Sequence, residues 1–157
     1  MKKDQEIFQE RLNHHHDELR WLYTELYHND DMFAELCDQM YQYFTARRRR
    51  ALKNRDLERE KNPDWFRQKD MLGMMLYIDN FAGNIKGVSD KLPYLKECNV
   101  NCLHLMPFLD TPKGRSDGGY AVADFRKVRP DLGTMEDLAA LADKCHKNGM
   151  NLCMDLL

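Results

Sequence analysis

The sequence predicts an α/β fold in which parallel strands alternate with helices, preceded by a layer of N-terminal helices. Three observations carry this. Strand-length apolar segments occur at Met71 to Ile78, Asn101 to Met106 and Asn151 to Leu157, the first of them an unbroken run of the kind found in strands buried on both faces. Between these segments apolar residues recur at helical spacing. Before Met71 they recur at spacings of three and four, which marks amphipathic helices.

From Lys3 to about Tyr27, Phe8, Leu12, Leu19, Leu22, Tyr23 and Leu26 form one helical stripe. Asn29-Asp30-Asp31 offers short acceptor side chains for an N-cap, after which Phe33, Leu36, Cys37, Met40, Tyr43 and Phe44 repeat the period. A second helix, antiparallel to the first, is expected. Ala46 to Lys61 is dense in charge, with Arg47 to Arg50 unbroken and Leu52 and Leu57 as its main apolar anchors. Helix and solvated connector both fit it. The arginines lie beside Asp56, Glu58 and Glu60, which cancel much of their field, so a solvated face is expected rather than a phosphate patch.

After Asn62-Pro63 comes the first strand, and Gly83 to Gly87 then turn the chain. Val88, Leu92, Leu95 and Cys98 make a helical stripe in which Pro93 is tolerable only near a helix start or at a kink. The second strand ends at Pro107. Phe108 to Gly133 reads as a long loop, and length in a loop usually signals function. Thr134 with Asp137 resembles a capping box, Leu138, Leu141, Ala142 and Cys145 form a buried face, and Gly149 sits where a helix C-cap belongs. The third strand follows. Strand, helix, strand, helix, strand implies right-handed parallel crossovers, with ligands at the carboxyl ends of the strands. An open doubly wound sheet and a β/α barrel share this pattern.

The composition bounds the partners. The chain has 157 residues, 43% of them hydrophobic, enough for a core. Its 24 Lys and Arg against 26 Asp and Glu leave a net charge of -2, which attracts neither nucleic acid nor an anionic membrane surface. Cys37, Cys98, Cys102, Cys145 and Cys153 are odd in number and scattered among apolar neighbours, and read as reduced, packed thiols. No segment approaches the roughly 18 apolar residues a membrane helix needs, and Met1 to Glu10 has no leader-like apolar stretch behind it. A cytoplasmic location is expected. His14-His15-His16 does not read as a metal site, because consecutive helical residues point in different directions. His104 and His146 read as satisfied core or exposed polar residues. Met71, Met74, Met75 and Met106 read as core fillers. Trp65 could be a sugar platform, but its place at the junction of the helical part favours packing that locks the two layers together.

The segment richest in chemistry is Ser116-Asp117-Gly118-Gly119-Tyr120-Ala121-Val122, which follows the second strand at the ligand-binding face. Asp117 can accept hydrogen bonds from hydroxyls or pair with a cation, and Tyr120 offers a flat apolar face to a pyranose. The bland alternative is an Asp-Gly-Gly turn with a tyrosine packed beneath it.

Tyr120-Ala121-Val122-Ala123-Asp124-Phe125, then Val128, Pro130, Leu132-Gly133-Thr134, His146, Gly149 and Asp155 closely resemble the segment joining the second and third barrel strands in the α-amylase superfamily of glycoside hydrolases. Within it the chain is most similar to amylosucrases. Asn62-Pro63-Asp64-Trp65-Phe66 resembles their domain junction, Tyr77 to Gly83 their first strand and turn, and Leu103-His104-Leu105-Met106-Pro107 their second strand. Asn80 departs from the arginine usual there.

The resemblance implies an α/β chain made of the first three strand-helix units of a TIM (β/α)8 barrel, in residues 67–157, after a small all-α domain with connector in residues 1–66. It implies that Asp117 pairs with an arginine from late in the barrel, that Tyr120 stacks on the glucosyl ring, and that Asp155 opens the third-strand motif, whose Asn and His would follow beyond Leu157. The retaining nucleophile and acid/base, which must sit roughly 5 Å apart, belong to the family's fourth and fifth strands. Asp79, Asp117 and Asp155 are therefore poor nucleophile candidates, and no catalytic residue, metal or cofactor is assigned. The expected function is a portion of an enzyme acting on sucrose or α-glucans, inactive alone. The alternative is a noncatalytic carbohydrate-binding or interaction module. Unpaired strand edges and an uncovered apolar face lead us to expect self-association.

Overall fold

Side-chain spacing in the first part of the chain builds a set of helices held by aromatic and ionic contacts. The computed structural model describes residues 4–46, 50–115 and 117–155, and the chain divides into two compact units, Met1–Trp65 and Phe66–Leu157. Arg47 to Arg49, Ser116, Leu156 and Leu157 lie outside the described residues. In the first unit, α1 (Asp4–Tyr27) and α2 (Asp30–Ala46) are joined where the Asn29 side chain accepts from the Met32 amide at 3.0 Å. Phe8, early in α1, meets Tyr41 and Phe44, late in α2, at ring separations of 5.2 and 5.5 Å, while Tyr23 meets Phe33 at 5.7 Å. The two helices are therefore antiparallel.

The charged segment forms a third helix, α3 (Arg50–Lys61). Lys53 pairs with Asp4 at 2.6 Å and Glu60 with Arg11 at 2.5 Å, both 49 residues apart in sequence, so α3 runs alongside α1 in the same direction. Its charges serve as ties between helices. Among the described residues of this unit only Phe33 and Leu52 are buried. Trp65, at the start of a short 3-10 turn (Trp65–Arg67), carries the Arg59 guanidinium 3.6 Å above its ring.

In the second unit the order is β1 (Gly73–Leu76), α4 (Ile78–Ala82), α5 (Ile85–Asp90), α6 (Leu92–Glu97), β2 (Cys102–Leu105), β3 (Leu109–Asp110), β4 (Asp124–Val128), α7 (Met135–Lys147) and β5 (Asn151–Met154). β1, β2 and β5 form one parallel sheet in that order, with Gly73, Cys102 and Asn151 in register at one end and Leu76, Leu105 and Met154 at the other. The strands are shorter than the apolar segments. Leu72 is held instead by Asn101, whose side chain accepts from the Leu72 amide at 2.9 Å and whose own amide donates back at 3.0 Å. Tyr77 begins the turn into α4.

Alternation along the strands sends Met74, Leu76, Leu103, Leu105 and Leu152 to one face, where they pack with Ile85, Val88, Leu92, Leu95, Leu141 and Cys145 of the helices. On the other face Met75, His104 and Cys153 form a row by register. Met75 is 63% exposed and Cys153 is exposed. This corrects three expectations: the strands are covered on one face only, Met75 is not core, and Cys98 and Cys153 are exposed thiols. Cys145 alone is buried, and burial pushes its thiol up to about 11.

The stripe from Val88 to Cys98 is two helices, α5 and α6, divided at Lys91 with Pro93 in the first turn of α6. Pro93 sits where its missing amide costs no helical bond. Close packing forces the residue type at Gly87, where a Cβ would lie 2.1 Å from the Ala82 carbonyl oxygen. The segment 108–133 is not a plain loop. Leu109 pairs with Val128 and Asp110 with Asp124 in an antiparallel ribbon, because buried Phe108, Leu109, Val128 and Leu132 pin both ends of the excursion to the core. Among the described residues no helix is long and apolar enough to cross a membrane.

The capping box is present. The Asp137 amide donates to Thr134 Oγ1 and the Thr134 amide to Asp137 Oδ2, both at 3.2 Å. Thr134→Ala is expected to weaken the start of α7 by about 1 kcal/mol, read as roughly fivefold faster amide exchange in its first turns, while Thr134→Ser exchanges like the parent. Equal exchange in all three would refute the cap.

Candidate functional site

Because β1, β2 and β5 are parallel and in register, their carboxyl ends bring three chain segments to one place: Tyr77 after β1, Met106-Pro107 and the loop to Val122 after β2, and Asp155 after β5. The loop is seated by Gly119. Its φ is +90°, and a Cβ there would lie 2.9 Å from both Pro107 Cβ and the Pro107 carbonyl oxygen, so only glycine lets the turn rest on Pro107. The Tyr120 amide closes the turn on the Asp117 carbonyl at 2.9 Å. A Cβ built on Gly118 would be 3.6 Å from Tyr120 Cδ2 and 3.9 Å from the Tyr77 hydroxyl, so both rings flank the turn.

Asp155 joins this cluster. Its Oδ1 lies 2.9 Å from His104 Nε2. Burial first, then the charge of Asp155 and the nearby Tyr77, holds the Tyr120 phenol above its ordinary range. Tyr120 nonetheless keeps 39% of its surface exposed, leaving a ring face open. Asp117 is exposed, and among the described residues it makes no ion pair. Ser116 lies outside the described residues. Beside the cluster, Met75, Leu76, Tyr77, Asn80, Phe81 and Met106 line a cavity of about 370 Å³.

Asp79 belongs to a different assembly. Arg129 reaches Asp79 Oδ2 with Nη2 at 2.9 Å and Asp131 Oδ1 with Nε at 2.8 Å, tying the end of the β4 excursion to α4. Burial would raise the Asp79 carboxyl, but the Arg129 hydrogen bond and charge, with the Asn80 amide, hold it below its ordinary value. A larger groove of about 620 Å³ lies between α1 and α2, lined by Phe8, Leu12, Phe33, Cys37 and Tyr41 among others. None of the residues singled out from the sequence as sugar contacts lines it.

Of the residues singled out in the sequence, Tyr120 and Asp155 lie close enough for the Asp155 charge to act on the phenol, while Asp117 is exposed. Two neighbours were missed, Tyr77 and the link from His104 to Asp155. The signal for His104 was strand parity. His104 is in register with Cys153, so Asp155, two residues on, projects from the same face. No group of three or more His, Cys, Asp or Glu side chains among the described residues is arranged to hold a metal.

The family model for the alpha-amylase catalytic domain matches residues 42–157. The chain is 36% identical over 101 residues to the trehalose synthase/amylase of Mycobacterium tuberculosis, covering 61% of this chain and 16% of that enzyme. It is 35% identical over 105 residues to an oligo-1,6-glucosidase of Saccharomyces cerevisiae, covering 62% and 17%. The solved trehalulose synthase of Pseudomonas mesoacidophila superposes with a TM-score of 0.50 at 32% identity, over 56% of this chain and 17% of that one. A mutant of the same enzyme has been solved in complex with the substrate sucrose. The chain thus spans about one sixth of the length of these relatives. These matches decide between the two architectures: β1, β2 and β5 with their helices are the start of a TIM barrel after an N-terminal helical region.

The Asp79 carboxyl, held low in the fold, contributes stability that is present above its unfolded value of about 3.9 and is lost as pH falls through its folded value. Asp79→Asn should therefore melt below the parent at pH 7, and the gap should close toward pH 3. A gap independent of pH would show that the Arg129 pair does not act through charge.

Proposed function

The chain belongs to the alpha-amylase family of catalytic domains, and from that premise we propose that residues 67–157 form the donor-sugar wall of an amylosucrase-like enzyme acting on sucrose or an α-glucan by a retaining mechanism. Residues 1–66 are its separate helical domain. The observation that carries the reading is the partly exposed Tyr120 ring, set at the strand ends by the Gly119 turn on Pro107 and near Tyr77. Tyr120 is the stacking face for the glucosyl ring, and Asp117 is a hydroxyl acceptor at the floor of the pocket that takes an arginine partner from later in a complete barrel. Asp155 holds position at the third strand. The amylosucrase subtype is supported by Leu103-His104-Leu105-Met106-Pro107 and Asn62 to Phe66.

These residues position and do not react. A retaining mechanism needs a carboxylate nucleophile and a second carboxyl roughly 5 Å from it. Here Asp79 is taken up by Arg129, and Asp155 by His104. The 157-residue polypeptide should release no glucose or fructose from sucrose above a no-protein control.

One stacking face is worth about 1 kcal/mol, too little for heat in a titration with millimolar sucrose. At several hundred millimolar, sucrose should shift the ring resonances of Tyr120 more than the same concentration of sorbitol does. Equal shifts would overturn the platform. Heat at millimolar sugar that Tyr120→Ala abolishes would instead favour a noncatalytic carbohydrate-binding module.

The row Met75, His104 and Cys153, with β1 and β5 at the sheet's edges, offers an open face and two strand edges without a neighbour among the described residues. The polypeptide is expected to self-associate. Sedimentation at dilute concentration that returns only a compact monomer would refute this.

A further inference from the structure

The groove between α1 and α2 has a polar rim over an apolar floor. Gln5, Gln9 and Asn13 stand four residues apart on α1, so helical spacing puts their side chains in one row. All three are exposed, as are Asp17 at the end of that row and Asp38 across the groove on α2. Phe33 beneath them is buried, and Phe8, Leu12 and Tyr41 are half-buried.

The rim has bonding capacity to spare. Gln9 Nε2 donates to Asn13 Oδ1 at 2.8 Å, which leaves the Gln9 oxygen as an acceptor and the Asn13 amide nitrogen as a donor. The side chains of Gln5 and Asp38 make no hydrogen bond among the described residues. Asp17 and Asp38 line the groove without a lysine or arginine among the described residues there. Two such faces brought together would set carboxylates against carboxylates, which disfavours a second copy of this chain, and the same charge repels phosphate and nucleic acid. Helix α3 is tied to Asp4 and Arg11 of α1 and lines none of the groove. The occupant this chemistry fits is neutral, with an apolar face and an edge rich in donors and acceptors.

We propose that the groove between α1 and α2 binds a short α-glucan, its pyranose faces on Phe8 and Tyr41 and its hydroxyls on Gln5, Gln9, Asn13 and Asp38. Its volume of about 620 Å³ lies within the roughly 300–1,000 Å³ of pockets that take small molecules. The helical unit thus grips sugar by amides, a carboxylate and rings, and does no chemistry on it. The choice of glucose units rests on the proposed reading of residues 67–157, whereas the call for a neutral sugar comes from the groove itself.

The test follows the backbone amides of the 157-residue chain by NMR as maltotriose is raised into the tens of millimolar. Saturable shifts are expected across residues 5–17 and 33–41, with sorbitol at equal concentration producing none that saturate. Asn13→Ala and Asp38→Ala replace exposed side chains with a good helix former, and each should weaken binding roughly fivefold through a lost hydrogen bond. Gln42→Ala, exposed on α2 outside the lining, should bind as the parent does.

Sorbitol-like shifts in the parent would overturn the site, as would Asn13→Ala and Asp38→Ala chains with undiminished binding. Saturable shifts from spermidine where maltotriose gives none would also overturn it, marking the rings and carboxylates as an organic-cation site. The Tyr120 signal separates this inference from the donor-sugar wall. Shifts in α1 and α2 with Tyr120 unmoved uphold the groove and count against the wall, while shifts at Tyr120 alone overturn the groove.

Discussion

The register of the parallel ladder governs this unit, since every side chain of the site inherits its direction from it. Met74, Leu103 and Leu152 stand opposite one another across β1, β2 and β5, as do Leu76, Leu105 and Met154. The helices cover the face these residues define, and burying Leu103, Leu105 and Leu76 is what fixes the alignment. A slip of one residue would turn each of these side chains to the open face and expose several kcal/mol of apolar surface. The same alignment places His104 beside the strand that leads to Asp155. The site is thus a by-product of the core's own preference.

Two groups of carboxylates separate cleanly by environment. Asp79 and Asp131 hold Arg129, and with it the end of the β4 excursion, whose amide at Arg129 also bonds the Phe108 carbonyl at 2.9 Å. Asp155 faces a histidine and a tyrosine instead. The first group fastens the long segment after β2 at its exit, and Gly119 on Pro107 fastens it near its apex. Between these points the segment carries only the short β4 strand of the ribbon, and Tyr120 reaches the strand ends on the Gly119 turn.

Much of this was legible in the sequence, and the parts that were not have physical causes. The three strand segments, the Thr134 and Asp137 cap, the break at Pro93 and the antiparallel pairing of α1 and α2 each follow from local chemistry, which a sequence displays directly. The ribbon of β3 and β4 was hidden because Leu109 and Val128 are far apart in sequence and neither short strand shows a run of alternating apolar residues. α3 was ambiguous because its stabilising ions, Asp4 and Arg11, lie 49 residues away. The resemblance pointed to Asp117 and Tyr120 as sugar contacts and to Asp155 as the opening of the third-strand motif. It did not reveal that His104 bonds Asp155, because that contact depends on register.

Both tryptophans of the chain lie in the helical unit, Trp21 with 60% of its surface exposed and Trp65 beneath the Arg59 guanidinium. Intrinsic tryptophan emission is therefore a reporter of one unit only. Denaturation followed by that signal would trace the loosening of α1, α2 and α3 and stay silent while the parallel sheet opened. The barrel strands carry their own chromophores in Tyr77 and Tyr120, at the site itself. Tryptophan emission watches one unit, while tyrosine, present also at Tyr23, Tyr27, Tyr41 and Tyr43, watches both.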